Sequence, residues 1–354
     1  MRVQNRNRRP HGRAAAAAAA TAIVTTATLV GGPAHAAAPR AGAAVVDGVL
    51  TIVGTNAGDQ ISVDFTALDS VVVDLGGSNG TRRFAAGSFQ SASVDLRAGD
   101  DDFRTASGGS LADVPMIVTT GNGNDVATTG AGSDILDGGN GDDLLLGGAG
   151  TDLLVGGNGT DVVNGGVGTD VEVLGNGDDT AAWNPGEGND AIDGGLGRDT
   201  LAFNGSNADE QMSLSANGPS AVFFRTQGNI RMDLDGVERL NLATFGGADT
   251  VTIGDLTGTE VTTADIDLAS TAGAADTKDD TVQVNGSDRA DRVDVTGNGT
   301  AVEVTGLAAQ TSVTGGDTTD RLLVDTLGGD DRVTVADSAR ALLDIVPDLG
   351  AEQS

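Results

Sequence analysis

The chain has 354 residues, no cysteine and a formal net charge of −31, with 44 Asp against 7 Glu. The missing thiols exclude a disulfide framework and thiolate metal sites. The charge excludes nucleic acid as a partner, because nothing offsets phosphate repulsion. Glycine is abundant at 55 residues and aromatics are few, with one Trp, eight Phe and no Tyr. Such a composition favours a core closed in thin repeated layers over a large aromatic one.

Residues 1–36 read as a secretory signal peptide. Arg2, Arg6, Arg8, Arg9 and Arg13 form a basic start, Ala14 to Val30 an apolar segment, and Ala34-His35-Ala36 a cleavage signal. The apolar run is too short and too alanine-rich to span a bilayer comfortably, so no membrane span is expected in the mature chain. Cleavage after Ala36 removes five arginines and takes the charge from −31 to −36. It also removes both histidines, His11 and His35, and with them any histidine-based triad or zinc site.

Residues 37–119 alternate apolar and polar in short runs, such as Ile61, Val63 and Phe65, or Val71, Val73 and Leu75. Period two with Gly, Asn and Ser between the runs predicts strands and turns, and no helix.

Residues 120–202 carry a repeat. Asp125, Asp134, Asp143, Asp152, Asp161, Asp170 and Asp179 follow one another at nine-residue intervals. After an eleven-residue step, for which Trp183-Asn184 are the two extra residues, the series resumes at Asp190 and Asp199. The clearest units are GGNGDDLLL from Gly138, GGAGTDLLV from Gly147 and GGNGTDVVN from Gly156. Their first and fourth positions supply Gly138, Gly141, Gly147, Gly150, Gly156, Gly159, Gly165 and Gly168.

Residues 203–346 return to the alternating texture, and 347–354 read as a tail. The acid-to-apolar offset of the nonapeptide recurs in both flanks. The pairs are Asp59/Ile61, Asp101/Phe103, Glu210/Met212, Asp249/Val251, Asp280/Val282, Asp291/Val293 and Asp331/Val333. Three share a frame, GTNAGDQISV from Gly54, GSNADEQMSL from Gly205 and GSDRADRVDV from Gly286, and two share GGxDxVT from Gly246 and Gly328. The flanks are therefore expected to be degenerate coils related to the centre.

The G-G-x-G-x-D-x-U-x pattern resembles the hemolysin-type (RTX) calcium-binding repeats of secreted bacterial proteins. The resemblance implies an all-β fold, a parallel β-roll or β-solenoid flanked by degenerate solenoid-like coils. In that family each nonapeptide is half a coil, a six-residue turn and a three-residue strand, so units two apart stack on the same side. The glycines let the turn adopt positive φ and expose its carbonyls. The sixth-position Asp adds a carboxylate, and calcium held between stacked turns takes oxygens from both. The nine aspartates and eight glycines named above are the candidate metal residues.

At about 5 Å, stacked carboxylates repel by roughly 1 kcal/mol per pair in water and roughly 3 at an effective dielectric of 20. Two medium apolar side chains per coil do not offset that and the ordering of the coil, so folding of the centre is expected to be coupled to Ca2+. Leu136, Leu145, Leu154 and Val163 should form inward ladders, extended by Ile192 and Leu201. Glu172 occupies one inward position, where a charge is costly unless the strand ends or bends. Ala127 and Ala181 underfill theirs. Thr120, Thr129, Leu174 and Pro185 replace the first Gly of their units, so the best sites are expected between Asp134 and Asp170. Asp152, with same-side neighbours at Asp134 and Asp170, should matter more than Asp125.

The family's secretion signal is commonly C-terminal, whereas here the leader is N-terminal. Motifs of metalloproteases, serine hydrolases and phosphate loops are absent from the sequence. The reading is a secreted, extracellular, non-enzymatic calcium-binding protein, structural or adhesive, with a cell-envelope, matrix or polysaccharide partner. The alternative is a polysaccharide-acting enzyme on a β-helix scaffold. Threonine ladders of an ice- or surface-binding solenoid have only scattered support, near Thr257 to Thr263.

Overall fold

The computed structural model describes residues 40–67, 69–106, 113–276 and 278–350. The leader, residues 1–36, lies outside them. Among the described residues, the chain winds as a solenoid whose strands fall alternately into two long, mostly parallel sheets of 15 strands each. The expected all-β solenoid is what forms. Among the described residues, no helix is long and apolar enough to cross a membrane.

The centre keeps an 18-residue register. Ile135, Leu136 and Asp137 stand beside Leu153, Leu154 and Val155 in one sheet. Leu144, Leu145 and Leu146 stand beside Val162, Val163 and Asn164 in the other. Units two apart thus stack, and consecutive units face each other across the core. The inward residues Leu136, Leu145, Leu154, Val163, Ile192 and Leu201 are all buried. Outside the core, Asn122, Asn140, Asn158 and Asn176 form an exposed amide ladder, each side-chain N–H donating to the preceding Oδ1 at 2.7–2.8 Å.

Coil width changes along the chain. Inner strands Val126–Thr128, Leu144–Leu146 and Val162–Asn164 have three residues and turn one side chain inward. Flanking strands such as Val49–Val53 and Gln60–Asp64 have five and turn two inward, Leu50 and Ile52 or Ile61 and Val63. Trp183-Asn184 belong to this transition. Trp183 lengthens the strand that starts at Thr180 and pairs with Phe203 in register, and Asn184 follows it just outside the strand. The indole and the phenyl ring stack at 4.1 Å and 3°, and Phe223 packs on Phe203 at 4.4 Å. Aromatics enter where the coil becomes wide enough to bury them.

Among the described residues, three antiparallel meanders interrupt the winding. They use strands Gln60–Asp64, Ser70–Asp74 and Thr81–Ala85; Gln211–Asn217, Ser220–Arg225 and Ile230–Asp235; and Arg292–Asn298, Ala301–Thr305 and Gln310–Thr314. Each begins at the seventh residue of one of the three related frames, Gln60 in the frame from Gly54, Gln211 in that from Gly205 and Arg292 in that from Gly286. The shared sequence frame therefore marks a shared device, the point at which a coil is extended by a hairpin.

Glu172 does not end or bend its strand. Val171–Asn176 continues in register, with Glu172 between Leu154 and Ile192. One carboxyl oxygen accepts the Gly165 N–H at 2.7 Å and the other has no partner. Burial, followed by repulsion from Asp190, pushes its pKa well up, which favours the uncharged form at this core position. Ala127 is flanked in register by Phe103 and Leu145, larger side chains on either side of the small one.

Trp183→Ala removes the ring on which the narrow and wide coils meet. It should destabilise the folded protein by about 3–5 kcal/mol, read as a lower urea midpoint; an unchanged midpoint would contradict a packing role for the stack.

Candidate metal centre

Each repeat aspartate sits at the start of a strand, just past its turn, with its side chain folded under the coil. One oxygen bonds to the neighbouring coil: the backbone N–H of Asp125 donates to Asp143 Oδ1, Asp134 to Asp152, Asp143 to Asp161, Asp152 to Asp170 and Asp161 to Asp179, all at 2.8–2.9 Å. Asp170 and Asp179 donate likewise to Asp190 and Asp199, across the two-residue insertion. All nine expected aspartates are therefore brought into two ladders, one on each sheet.

The other oxygen is different. Oδ2 of Asp125, Asp134, Asp143, Asp152, Asp161, Asp170, Asp179 and Asp199 is buried without a hydrogen-bond partner. An orphaned carboxylate oxygen is costly, and a row of them calls for a cation or for protons. The first-position glycines explain the space beside them. A Cβ on Gly147 would stand 2.7 Å from both Asp152 Oδ2 and the Gly165 carbonyl oxygen, and one on Gly156 would stand 2.6 Å from Asp161 Oδ2 and 2.5 Å from the Leu174 carbonyl. Gly138, Gly165 and Gly194 face Asp143, Asp170 and Asp199 in the same way. Calcium takes oxygens at about 2.3–2.6 Å, so these bare glycine faces are oxygen-lined spaces of the scale the ion uses.

The glycines act differently from one position to the next. Gly141, Gly150, Gly159 and Gly168 take positive φ of 125° to 154°, as a carbonyl-exposing turn requires. Gly138, Gly147, Gly156 and Gly165 do not; they are needed because any side chain would fill the space beside Oδ2. The positive-φ expectation is corrected for that set. Where a threonine replaces the first glycine, its hydroxyl enters that space. Thr120 and Thr129 donate their hydroxyls to the carbonyls of Gly138 and Gly147 at 2.7 and 2.6 Å, and Leu174 is fully buried. Bare faces therefore accompany Asp143, Asp152, Asp161, Asp170 and Asp199, but not Asp125 or Asp134.

The ladders extend beyond the repeats. Asp59 N–H donates to Asp101 Oδ1 and Asp101 to Asp125, so Asp125 has same-side neighbours on both sides, not on one. Glu238 follows Asp199, and Glu210, Asp249, Asp280 and Asp320 form a further run. The sequence reading left out Asp320 and Glu238, although Asp320/Leu322 and Glu238/Leu240 show the same two-residue offset. In several flank turns the second oxygen is closed by a local N–H, that of Thr55 on Asp59, Ser206 on Glu210, Ser287 on Asp291 and Asp317 on Asp320. Glu210 is further bonded by the Arg225 guanidinium, which also lies 5.6 Å from the Trp183 ring centre.

Among the described residues, no group of three or more Asp, Glu, His or Cys side chains converges on one point. A metal in the repeats would draw on one or two carboxylates and several carbonyls, which suits a hard, oxygen-seeking ion with flexible coordination. Burial, partly opposed by a backbone N–H from the neighbouring coil (that of Met116 for Asp134, of the preceding aspartate for the others), pushes the carboxyls of Asp143, Asp152, Asp190 and Asp199 up to about 7 and those of Asp134 and Asp161 to about 6.

Residues 119–154, 146–181 and 186–202 match the family model of the RTX calcium-binding nonapeptide repeat in four copies. No curated protein matches the chain.

Unfolded aspartates titrate near 3.8, so without metal the folded chain holds more protons than the unfolded one between about pH 4 and 7. Metal-free stability should therefore fall as pH rises through that window. In chelator, β-sheet circular dichroism and the melting temperature should both be higher at pH 5 than at pH 8. Saturating calcium should abolish or reverse the difference; the opposite slope in chelator would contradict buried, unpaired carboxyls.

Proposed function

From the premise that residues 119–202 are hemolysin-type RTX repeats, which bind Ca2+ as a β-roll, we propose that the chain is a secreted, calcium-folded structural or adhesive protein of the cell envelope or extracellular matrix. The observation that carries this reading is the row of buried, partnerless Oδ2 atoms facing bare glycines. Asp143, Asp152, Asp161 and Asp170 are the proposed principal ligands, with Asp199 beside them and turn carbonyls completing the oxygen set. Asp125, Asp134, Asp179 and Asp190 serve as ladder residues that align their neighbours. When bound, calcium supplies the positive charge that a stack of like carboxylates lacks.

The protein's own part is positional. Each Oδ1 is tied to a backbone N–H one coil away, which fixes where Oδ2 stands. The thin core gives each coil little stability of its own, so binding and folding are one event. The basic, apolar leader and the A-x-A motif support export, and the high extracellular calcium of many environments suits a chain that stays unfolded until it arrives.

Calcium titration of the chain lacking residues 1–36, followed by circular dichroism and Trp183 fluorescence, should show a cooperative gain of β structure reversed by chelator; identical spectra with and without calcium would refute the coupling. Asp152→Ala should weaken calcium binding about tenfold more than Asp125→Ala, roughly 1.4 kcal/mol, because Thr120 already fills the space beside Asp125. Equal losses would count against the bare-glycine assignment.

A further inference from the structure

One apolar position of the repeat is occupied by an acid, and its carboxyl group stands at a bare glycine. In the unit GGVGTDVEV from Gly165, Asp170 and Glu172 are two residues apart at the start of the strand Val171–Asn176. Both side chains therefore turn inward, while Val171 and Val173 are half-buried on the other face. Asp170 is 1% and Glu172 2% exposed. Asp170 Oδ2 lies 2.6 Å from where a Cβ on Gly165 would stand, and Glu172 Oε1 accepts the N–H of the same Gly165 at 2.7 Å. The two carboxyl groups thus border one glycine, one at its open Cα face and one at its N–H. Each has a buried oxygen left over, Asp170 Oδ2 and Glu172 Oε2, without a hydrogen-bond partner. Among the described residues, neither acid is in an ion pair.

The two-residue insertion explains why an acid stands here. In the lower coils the next coil supplies the surroundings of the bare glycine. The Gly147 N–H donates to the Asn164 carbonyl at 3.0 Å, and the carbonyls of Gly156, Gly165 and Leu174 lie 2.5–2.7 Å from the Cβ positions of Gly138, Gly147 and Gly156. At Gly165 the next coil is the one widened at Trp183-Asn184. Its Ala182 carbonyl, 18 residues after Asn164, accepts the Asn164 side-chain amide at 2.8 Å. The three atoms nearest to a Cβ on Gly165 all belong to Asp170. Glu172 takes over the Gly165 N–H and adds a carboxyl group to a face that a carbonyl closes in the lower sites. Glu187, in the inserted turn, is engaged by the Asn164 and Asn184 amides. Two orphaned acid oxygens at one glycine, with no cationic side chain, call for a cation.

We propose that Glu172 is a calcium ligand reaching the Asp170 site from inside the coil, so that Asp170 Oδ2 and Glu172 Oε2 share one ion where the narrow roll meets the wide coils. The proposal rests on the reading of the repeats as calcium sites and adds to it a ligand from the core position of the nonapeptide. Two carboxylates and turn carbonyls make a hard-oxygen set appropriate to that ion. The last narrow coil is thereby closed by a site with more negative charge than those below it.

The test counts bound ions on the chain lacking residues 1–36 by equilibrium dialysis with radioactive calcium, and follows melting in chelator and in calcium. Glu172→Leu, which restores an apolar residue at this position, should bind one ion fewer than the parent at moderate calcium. In chelator it should melt no lower than the parent, because an apolar side chain replaces a buried orphaned oxygen. On adding calcium it should gain less in melting temperature than the parent does. Glu172→Gln, which keeps an oxygen for the Gly165 N–H without the charge, should bind that ion about tenfold more weakly. An acid that only fills the core gives parent-like ion counts and affinity in both variants, and that result would overturn the proposal while leaving the repeat sites standing. If Glu172→Leu does not fold, parent-like affinity in Glu172→Gln overturns it alone. A parent chain that binds no calcium would overturn the proposal together with the reading it rests on.

Discussion

The bond from an aspartate N–H to the carboxylate of the aspartate one coil further on is the constraint on which the molecule depends. It ties backbone to side chain between neighbours in the stack, so it sets coil spacing and carboxylate position together. It also divides the two oxygens of each group. Oδ1 is used for construction, and Oδ2 is left facing whatever the turn provides. A bare glycine leaves an oxygen-lined space, a threonine fills it with a hydroxyl, and a local N–H closes it; at Glu210 the Ser206 N–H closes one oxygen and the Arg225 guanidinium holds the other. What stands beside the second oxygen of each coil follows from which of these its turn contains.

Coil width is the second determinant. Three-residue strands bury one side chain each, and that core is too thin to hold a stack of buried carboxyls together without help. Five-residue strands bury two, and the flanks add meanders and the Trp183–Phe203–Phe223 aromatic group. Stability is therefore unevenly placed. The wide flanks rest mainly on apolar packing, and the narrow centre on what neutralises its acids.

Much of this was legible in the sequence. The nine-residue period gave the register, the eighth-position apolar residues gave the core, and the shared offset of Asp59/Ile61 or Asp291/Val293 gave the kinship of the flanks. What was not legible required knowing which coil lies on which. Asp101 beneath Asp125 is 24 residues away, and Asp249 above Glu210 is 39, because loops and hairpins of unequal length intervene. Spacing alone cannot find such neighbours. The role of the first glycine was misjudged for a related reason, since the obstacle to a side chain there is an oxygen from the next coil. A charge at Glu172 was expected to be costly unless the strand ended or bent; the strand continues in register, and burial raises the carboxyl's pKa instead.

The 18-residue register has a further implication for how such a chain can change length. Adding or deleting two nonapeptides inserts or removes one whole coil and leaves both sheets, both ladders and both flanks in phase. Adding or deleting one would send every later strand to the opposite sheet and bring the C-terminal flank onto the wrong face of the stack. The two-residue step at Trp183-Asn184 is tolerated because it lengthens a strand without altering the count of half-coils. The reach of the narrow segment can therefore be lengthened or shortened in increments of one coil, about 4.8 Å each, without redesign of either end.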